Sequence, residues 1–71
     1  MTVITVYKSK MCGACEVVVP MVKRLARGKA TVKIVDVDTC GEKCDRIGYV
    51  PLIEVDGREI NSVDDLKEIL K

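Results

Sequence analysis

Seventy-one residues with a formal net charge of +1 and no histidine, tryptophan or phenylalanine exclude several functions before any motif is read. A chain this short buries only about 60% of its unfolded surface, and its apolar residues, 48% of the total, are mostly Val, Ile and Leu, which predicts a compact β-branched core. Scattered lysines and arginines argue against a nucleic-acid surface, which clusters its basic residues; the lack of histidine removes Cys–His hydrolysis; and no apolar run approaches the about 20 residues of a membrane span.

The N-terminus enters a strand pattern at once, without the charged and long apolar regions of a signal peptide, so the protein is expected in the cytoplasm. Residues 2–7, carrying Val3-Ile4-Thr5-Val6-Tyr7, read as a strand buried on both faces, because the apolar residues do not cleanly alternate. The loop Lys8-Ser9-Lys10-Met11 carries two cations toward Cys12-Gly13-Ala14-Cys15. Residues 16–27 then read as a helix, with Val18, Met21, Val22 and Leu25 on one face and Cys15, Val19 and Ala26 along its side. Pro20 interrupts this pattern, at about 3 kcal/mol if uncompensated. Because the apolar face runs through it, one kinked helix is favoured over two short ones.

The cysteine pair therefore falls where a strand hands over to a helix, with Cys12 at or just before the helix N-terminus. Unpaired N–H groups and the helix dipole favour an anion there. A thiolate is such an anion, and it is the form that attacks disulfides. Two thiols at this spacing can close as a disulfide, hold half of a metal site or stay reduced and inert; the flanking pattern favours reversible redox chemistry.

Farther along, the basic stretch at residues 23–29 reads as a solvated helix face with cations near its C-terminus, and Gly28 as its cap. Residues 31–37 form a second strand. The strand–helix–strand order implies a parallel, right-handed crossover, which brings Asp38-Thr39-Cys40 out at the same edge as the Cys12 pair. A short helix or turn is expected over 41–46. Ile47-Gly48-Tyr49-Val50-Pro51 leads into a third strand, Leu52–Val55, and Asp56-Gly57 is a hairpin signal that returns Arg58-Glu59-Ile60 as an antiparallel edge. Asn61 or Ser62 caps a last helix with Asp64 and Asp65 in its first turn and Val63, Leu66, Ile69 and Leu70 as its buried stripe. The order β-α-β-α-β-β-α is α/β, a single domain over 1–71 without repeats or linkers.

Two separated segments carry a resemblance to the thioredoxin–glutaredoxin superfamily. Cys12-Gly13-Ala14-Cys15 with Pro20 five residues on resembles the Cys-Gly-Pro-Cys helix and its kinking proline. Ile47-Gly48-Tyr49-Val50-Pro51 before a strand resembles the segment carrying the family's cis-proline. The likeness spans nearly the whole chain and implies a minimal thioredoxin fold, a four-stranded mixed sheet flanked by helices. It implies roles as well. Cys12 would be the exposed nucleophile and Cys15 the resolving thiol of a reductase of protein disulfides. Pro51 would be cis, with Val50 offering backbone groups to an extended substrate, and Met11, Gly13 and Ala14 would line the same surface. The redox-active Cys12–Cys15 pair would need no bound cofactor. The expected partners are disulfide-containing proteins and a flavoprotein thioredoxin-type reductase or another thiol system, and the expected state is a monomer.

The sequence also departs from the family pattern. Met11 stands where thioredoxins usually have Trp, and Val6 where they have a buried acid that helps deprotonate the second cysteine. Glu16 or water must then take that proton. Asn61-Ser62-Val63-Asp64 lacks the glycines of a glutaredoxin Gly-Gly-x-Asp segment. Ser9 replaces the lysine three residues before the nucleophile, with Lys8 and Lys10 on either side. A glutathione-linked glutaredoxin is therefore the alternative within the redox class.

Cys40 and Cys44 lie outside the family pattern, and three readings stay open. Either or both can be small buried apolar residues. They can form an accessory disulfide or second redox pair, since helical i,i+4 spacing puts Cα atoms about 6 Å apart, in the upper part of the disulfide range. Cys-x2-Cys plus Cys-x3-Cys can also supply four thiolates to zinc or an iron–sulfur cluster, the alternative from another functional class. Against this, the stretch between the pairs packs without metal and Cys-x3-Cys is looser than a typical knuckle.

Overall fold

The computed structural model describes residues 2–41, 47–60 and 62–70. In chain order these form β1 (Val3–Lys8), α1 (Gly13–Ala26), β2 (Thr31–Asp36), β3 (Leu52–Val55), β4 (Arg58–Ile60) and α2 (Val63–Ile69). The sheet order is β2-β1-β3-β4. β1 pairs in parallel with β2, Val3 opposite Thr31 through Lys8 opposite Asp36, while β3 runs antiparallel to β1 and to β4. The fold is thus a four-stranded mixed sheet with one parallel pair and two helices, as the α/β pattern predicts. Of the expected helix or turn at 41–46, only Gly41 is among the described residues, and Cys44 and the alternative cap Asn61 lie outside them.

The core sits on one face of the sheet. Ile4 and Val6 of β1 are fully buried, and the register places them beside Val55 and Ile53 of β3. Val22 and Ala26 of α1 and Leu66 of α2 close over these four. β1 is therefore not buried on both faces as its unbroken apolar run suggests: Val3, Thr5 and Tyr7 are only half-buried. The reason is topological, because α1 and α2 pack against each other and share the Ile4/Val6 face. Lys8, expected in the loop, ends the strand instead.

α1 starts three residues earlier than its apolar periodicity indicates and runs through Pro20 as one helix. Its buried line is Cys15, Val22 and Ala26, flanked by half-buried Val18, Val19 and Leu25, whereas Met21 is exposed. Helical spacing permitted either centring of the face; the packing of α1 on β1, β2 and α2 decides it. Gly28 adopts a left-handed φ of 76° just past the helix, and the Lys29 and Ala30 N–H groups donate back to the Ala26 carbonyl. The cationic residues Lys23, Arg24, Arg27 and Lys29 are all solvent-facing. Lys29 Nζ also donates to the Leu70 carbonyl at the end of α2 (3.2 Å), a cation at a helix C-terminus.

Ser62 caps α2, its Oγ accepting the Asp65 N–H, and Asp64 and Asp65 occupy the first turn. The predicted stripe is buried at Leu66 and half-buried at Val63 and Leu70, but Ile69 is 49% exposed, because it faces the open side of the β3–β4 hairpin. In that hairpin Asp56 and Gly57 both take positive φ, 51° and 87°, the signature of a type I′ turn whose twist matches the flanking strands. Asp56 also ties the turn to β1: its N–H donates to the Val3 carbonyl and its Oδ1 accepts the Val3 N–H. Gly57→Ala should cost about 1 kcal/mol in urea unfolding, since an L side chain is strained at this φ even with open space around it.

Candidate functional site

β1 delivers the chain to Cys12, which serves as the N-cap of α1 with extended backbone (φ −97°, ψ 104°). A cap supplies an acceptor for the first unpaired N–H groups of a helix. Here the acceptor is sulfur: Cys12 Sγ takes the Cys15 N–H at 3.1 Å. The Cys12 N–H in turn donates to the Ser9 carbonyl at 3.1 Å. Cys12 is half-exposed, while Cys15, one turn inside, is 2% exposed, and both are free thiols. Burial pushes the Cys15 thiol up, and its hydrogen bond with the Cys12 sulfur and the nearby Cys12 charge push it in the same direction; a hydrogen bond from the Ser9 backbone and the positive charge of Lys8 oppose them. The two sulfurs are thus unequal: one is half-exposed at a helix N-terminus, the other is buried one turn inside with its thiol pushed up.

The loop leading to Cys12 is fixed from the side. Asp38, just past β2, accepts the Lys10 N–H at 3.0 Å and the Ser9 hydroxyl at 3.2–3.3 Å, and Ser9 Oγ accepts the Met11 N–H at 3.3 Å. These bonds, the Lys10 N–H foremost, hold the Asp38 carboxyl below its ordinary value. The parallel pairing continues beyond the strands, with the Val37 N–H donating to the Lys8 carbonyl. Asp38 escaped sequence reasoning because its partner lies 28 residues away, although the predicted parallel crossover already placed both strand ends at one edge.

At that edge also lies Pro51. Leu52 pairs with Tyr7, so Pro51 sits beyond the C-terminal end of β1, on the side from which Cys12 follows. The Val50–Pro51 peptide bond is cis, and both residues are half-buried. Tyr49, next to them, is 55% exposed and donates its hydroxyl to Glu59 of β4, and this bond raises its phenol. Met11 is 92% exposed. Gly13 and Ala14 lie on the outer surface of the first turn, and a Cβ on Gly13 would meet nothing within 4 Å. Met11, Gly13 and Ala14 are thus exposed beside Cys12, while Val50 and Pro51 are half-buried at the end of the sheet where β1 leads to Cys12.

Lys8, Lys10, Glu16 and Cys15 line a cavity of about 440 Å³ with Ser9, Val19 and Pro20. Val6, the position of the missing acid, is wholly inside the core. Cys40 follows β2, is half-buried and is disulfide-bonded, so it is not the buried free thiol that one reading allowed. Among the described residues no group of three or more Cys, Asp or Glu side chains is arranged to hold a metal ion, and no helix is long and apolar enough to cross a membrane.

No protein-family model and no curated protein sequence matches the chain. Solved structures do. A point-mutant thioredoxin from Halobacterium salinarum NRC-1 superposes with a TM-score of 0.75 at 26% identity, over 97% of this chain and 71% of that one. The oxidised thioredoxin from Plasmodium falciparum gives a TM-score of 0.73 at 22% identity, over 97% and 77%. The second likeness bears on the fold alone, while the first supports a thioredoxin-like redox role for a chain that carries a Cys-x-x-Cys pair. The sheet order, the helix that starts at Cys12 and these superpositions together show that the chain has a thioredoxin-like fold.

Proposed function

We propose that the protein is a thiol–disulfide oxidoreductase that reduces disulfides of other proteins. The observation that carries this reading is the inequality of the two thiols: Cys12 half-exposed at the N-cap of α1, Cys15 buried one turn inside. In the proposed cycle the Cys12 thiolate attacks one sulfur of the substrate disulfide. A Cys12–substrate bond forms and the substrate's S–S bond breaks, its other sulfur leaving as a thiolate that takes up a proton. Cys15 then loses its proton and attacks Cys12 Sγ, releasing the second substrate sulfur and closing Cys12–Cys15. Two electrons have passed to the substrate.

Met11, Gly13, Ala14, Val50 and Pro51 form the proposed docking surface, with the Val50 backbone pairing to an extended segment. A main-chain contact of that kind tolerates many side chains, as strand addition does. No bound cofactor enters the cycle. In a reducing compartment such as the cytoplasm the reduced pair is regenerated by a flavoprotein reductase or another thiol system, and the protein acts as a monomer. Cys40 and Cys44 are proposed as an accessory disulfide or second redox pair; the disulfide at Cys40 supports this over the four-thiolate metal reading, which requires that sulfur as a ligand. Turnover of a model protein disulfide tests the function. A flavoprotein thioredoxin-type reductase should sustain it better than glutathione does. Equal or better support by glutathione would favour the glutaredoxin reading, and no reduction even with dithiothreitol would overturn both.

A further inference from the structure

The resolving step poses a problem that the sheet does not solve. Cys15 is 2% exposed, and the strand position that would offer it a carboxyl carries Val6. The titratable groups around it are Cys12 and Glu16 on α1, Lys8 at the end of β1 and Lys10 in the following loop. From the β2 side comes Asp38, whose charge is tied up by Ser9 and Lys10. Lys8, a half-buried cation, lines the same cavity as Ser9 and Cys15, and its positive charge favours the Cys15 thiolate.

We propose that the loop over residues 8–10, pinned by Asp38, readies Cys15 for its attack on the mixed disulfide. The Lys8 ammonium stabilises the Cys15 thiolate across the cavity they share, and Asp38 is the positioning residue that holds the loop through Ser9 and Lys10. The Cys15 proton leaves through the cavity to water, Lys8 keeps its own proton, and the electron pair on sulfur displaces the substrate thiolate from Cys12. A fixed cation beside a dry thiol favours the charged form without accepting the proton, so this arrangement replaces a buried base by an electrostatic device.

The proposal rests on the dithiol exchange above, and a two-phase experiment separates the two. Reduced protein is mixed with a chromogenic aromatic disulfide in stopped flow between about pH 6 and 9, a range bracketing neutral-pH thiol exchange. The first release of aromatic thiol reports attack by Cys12, the second resolution by Cys15. Lys8→Met should slow the second phase about three- to tenfold near neutral pH and move its pH profile upward, since a thiol deprived of its cation ionises later. Lys8→Arg should restore both. Asp38→Ala should reproduce the slowing, and Asp38→Asn, which keeps an acceptor for the Lys10 N–H, should fall between. Should Asp38→Ala fail to fold by circular dichroism, the Lys8 pair decides alone. Wild-type rate and pH profile in Lys8→Met would overturn the proposal, as would an Arg variant as slow as Met. A wild-type protein with no second phase would instead sink the dithiol reading, and this proposal with it.

Discussion

Cys12→Ser should abolish reduction of protein disulfides, by at least about a thousandfold, because a serine hydroxyl at neutral pH offers no comparable nucleophile. Cys15→Ser should fail differently. Its Cys12 can still attack, but nothing resolves the product, so a covalent mixed disulfide with the substrate should accumulate and survive non-reducing electrophoresis. The asymmetry follows from exposure. Cys12 is half-exposed at the helix start, whereas Cys15 is 2% exposed one turn inside. Mass spectrometry of the trapped species identifies the partner protein. If the two variants behaved alike, with neither trapping substrate, the assignment of attacker and resolver would be wrong. Cys40→Ser should leave turnover largely intact if the disulfide at Cys40 is an accessory one, since the proposed cycle runs through Cys12 and Cys15; a large loss would favour a second redox pair.

The largest effect on stability is expected from Leu66→Ala. Leu66 is fully buried and packs α2 into the cluster of Ile4, Val6, Val22 and Ile53. Removing a buried leucine side chain costs about 2–5 kcal/mol through lost transfer energy and the residual cavity. A domain of this length has about 4–10 kcal/mol in total at typical per-residue values. The variant should therefore lie near the edge of folding, with a sharply lower urea midpoint and an unchanged slope. Ile69→Ala, on the same helix but 49% exposed, should shift stability by no more than about 0.5 kcal/mol. A loss below about 1 kcal/mol for Leu66 would show that α2 is not held by this contact.

Much of the architecture was legible from local rules. Asp56-Gly57 specified its turn because few residues tolerate two consecutive positive φ values, and the structure has both. Ser62 marked the start of α2 because a hydroxyl can accept the N–H three residues on. The cysteine spacing placed one sulfur at a helix start and the other a turn inside. The apolar periodicity of α1 was less decisive. It included Met21 in the buried face and missed the first helical turn, because Gly13 and Ala14 carry no amphipathic signal and the cap that starts the helix is a cysteine.

By itself, then, the sequence determined the order of elements, the parallel crossover, the hairpin and the pair of thiols, since each depends on contacts within a few residues or on chain connectivity. What only the tertiary structure decided is the inequality of those thiols and the setting of the resolving one. Burial of Cys15 depends on where α1 lies over β1 and β2, and Asp38 reaches the loop before Cys12 only because β2 runs parallel beside β1. Read along the chain, the Cys-x-x-Cys spacing already sets one sulfur at a helix start and the other a turn inside, but not how far each is buried. Folding leaves Cys12 half-exposed at a helix N-terminus and buries Cys15, and the proposed roles of attacker and resolver rest on that difference in solvation.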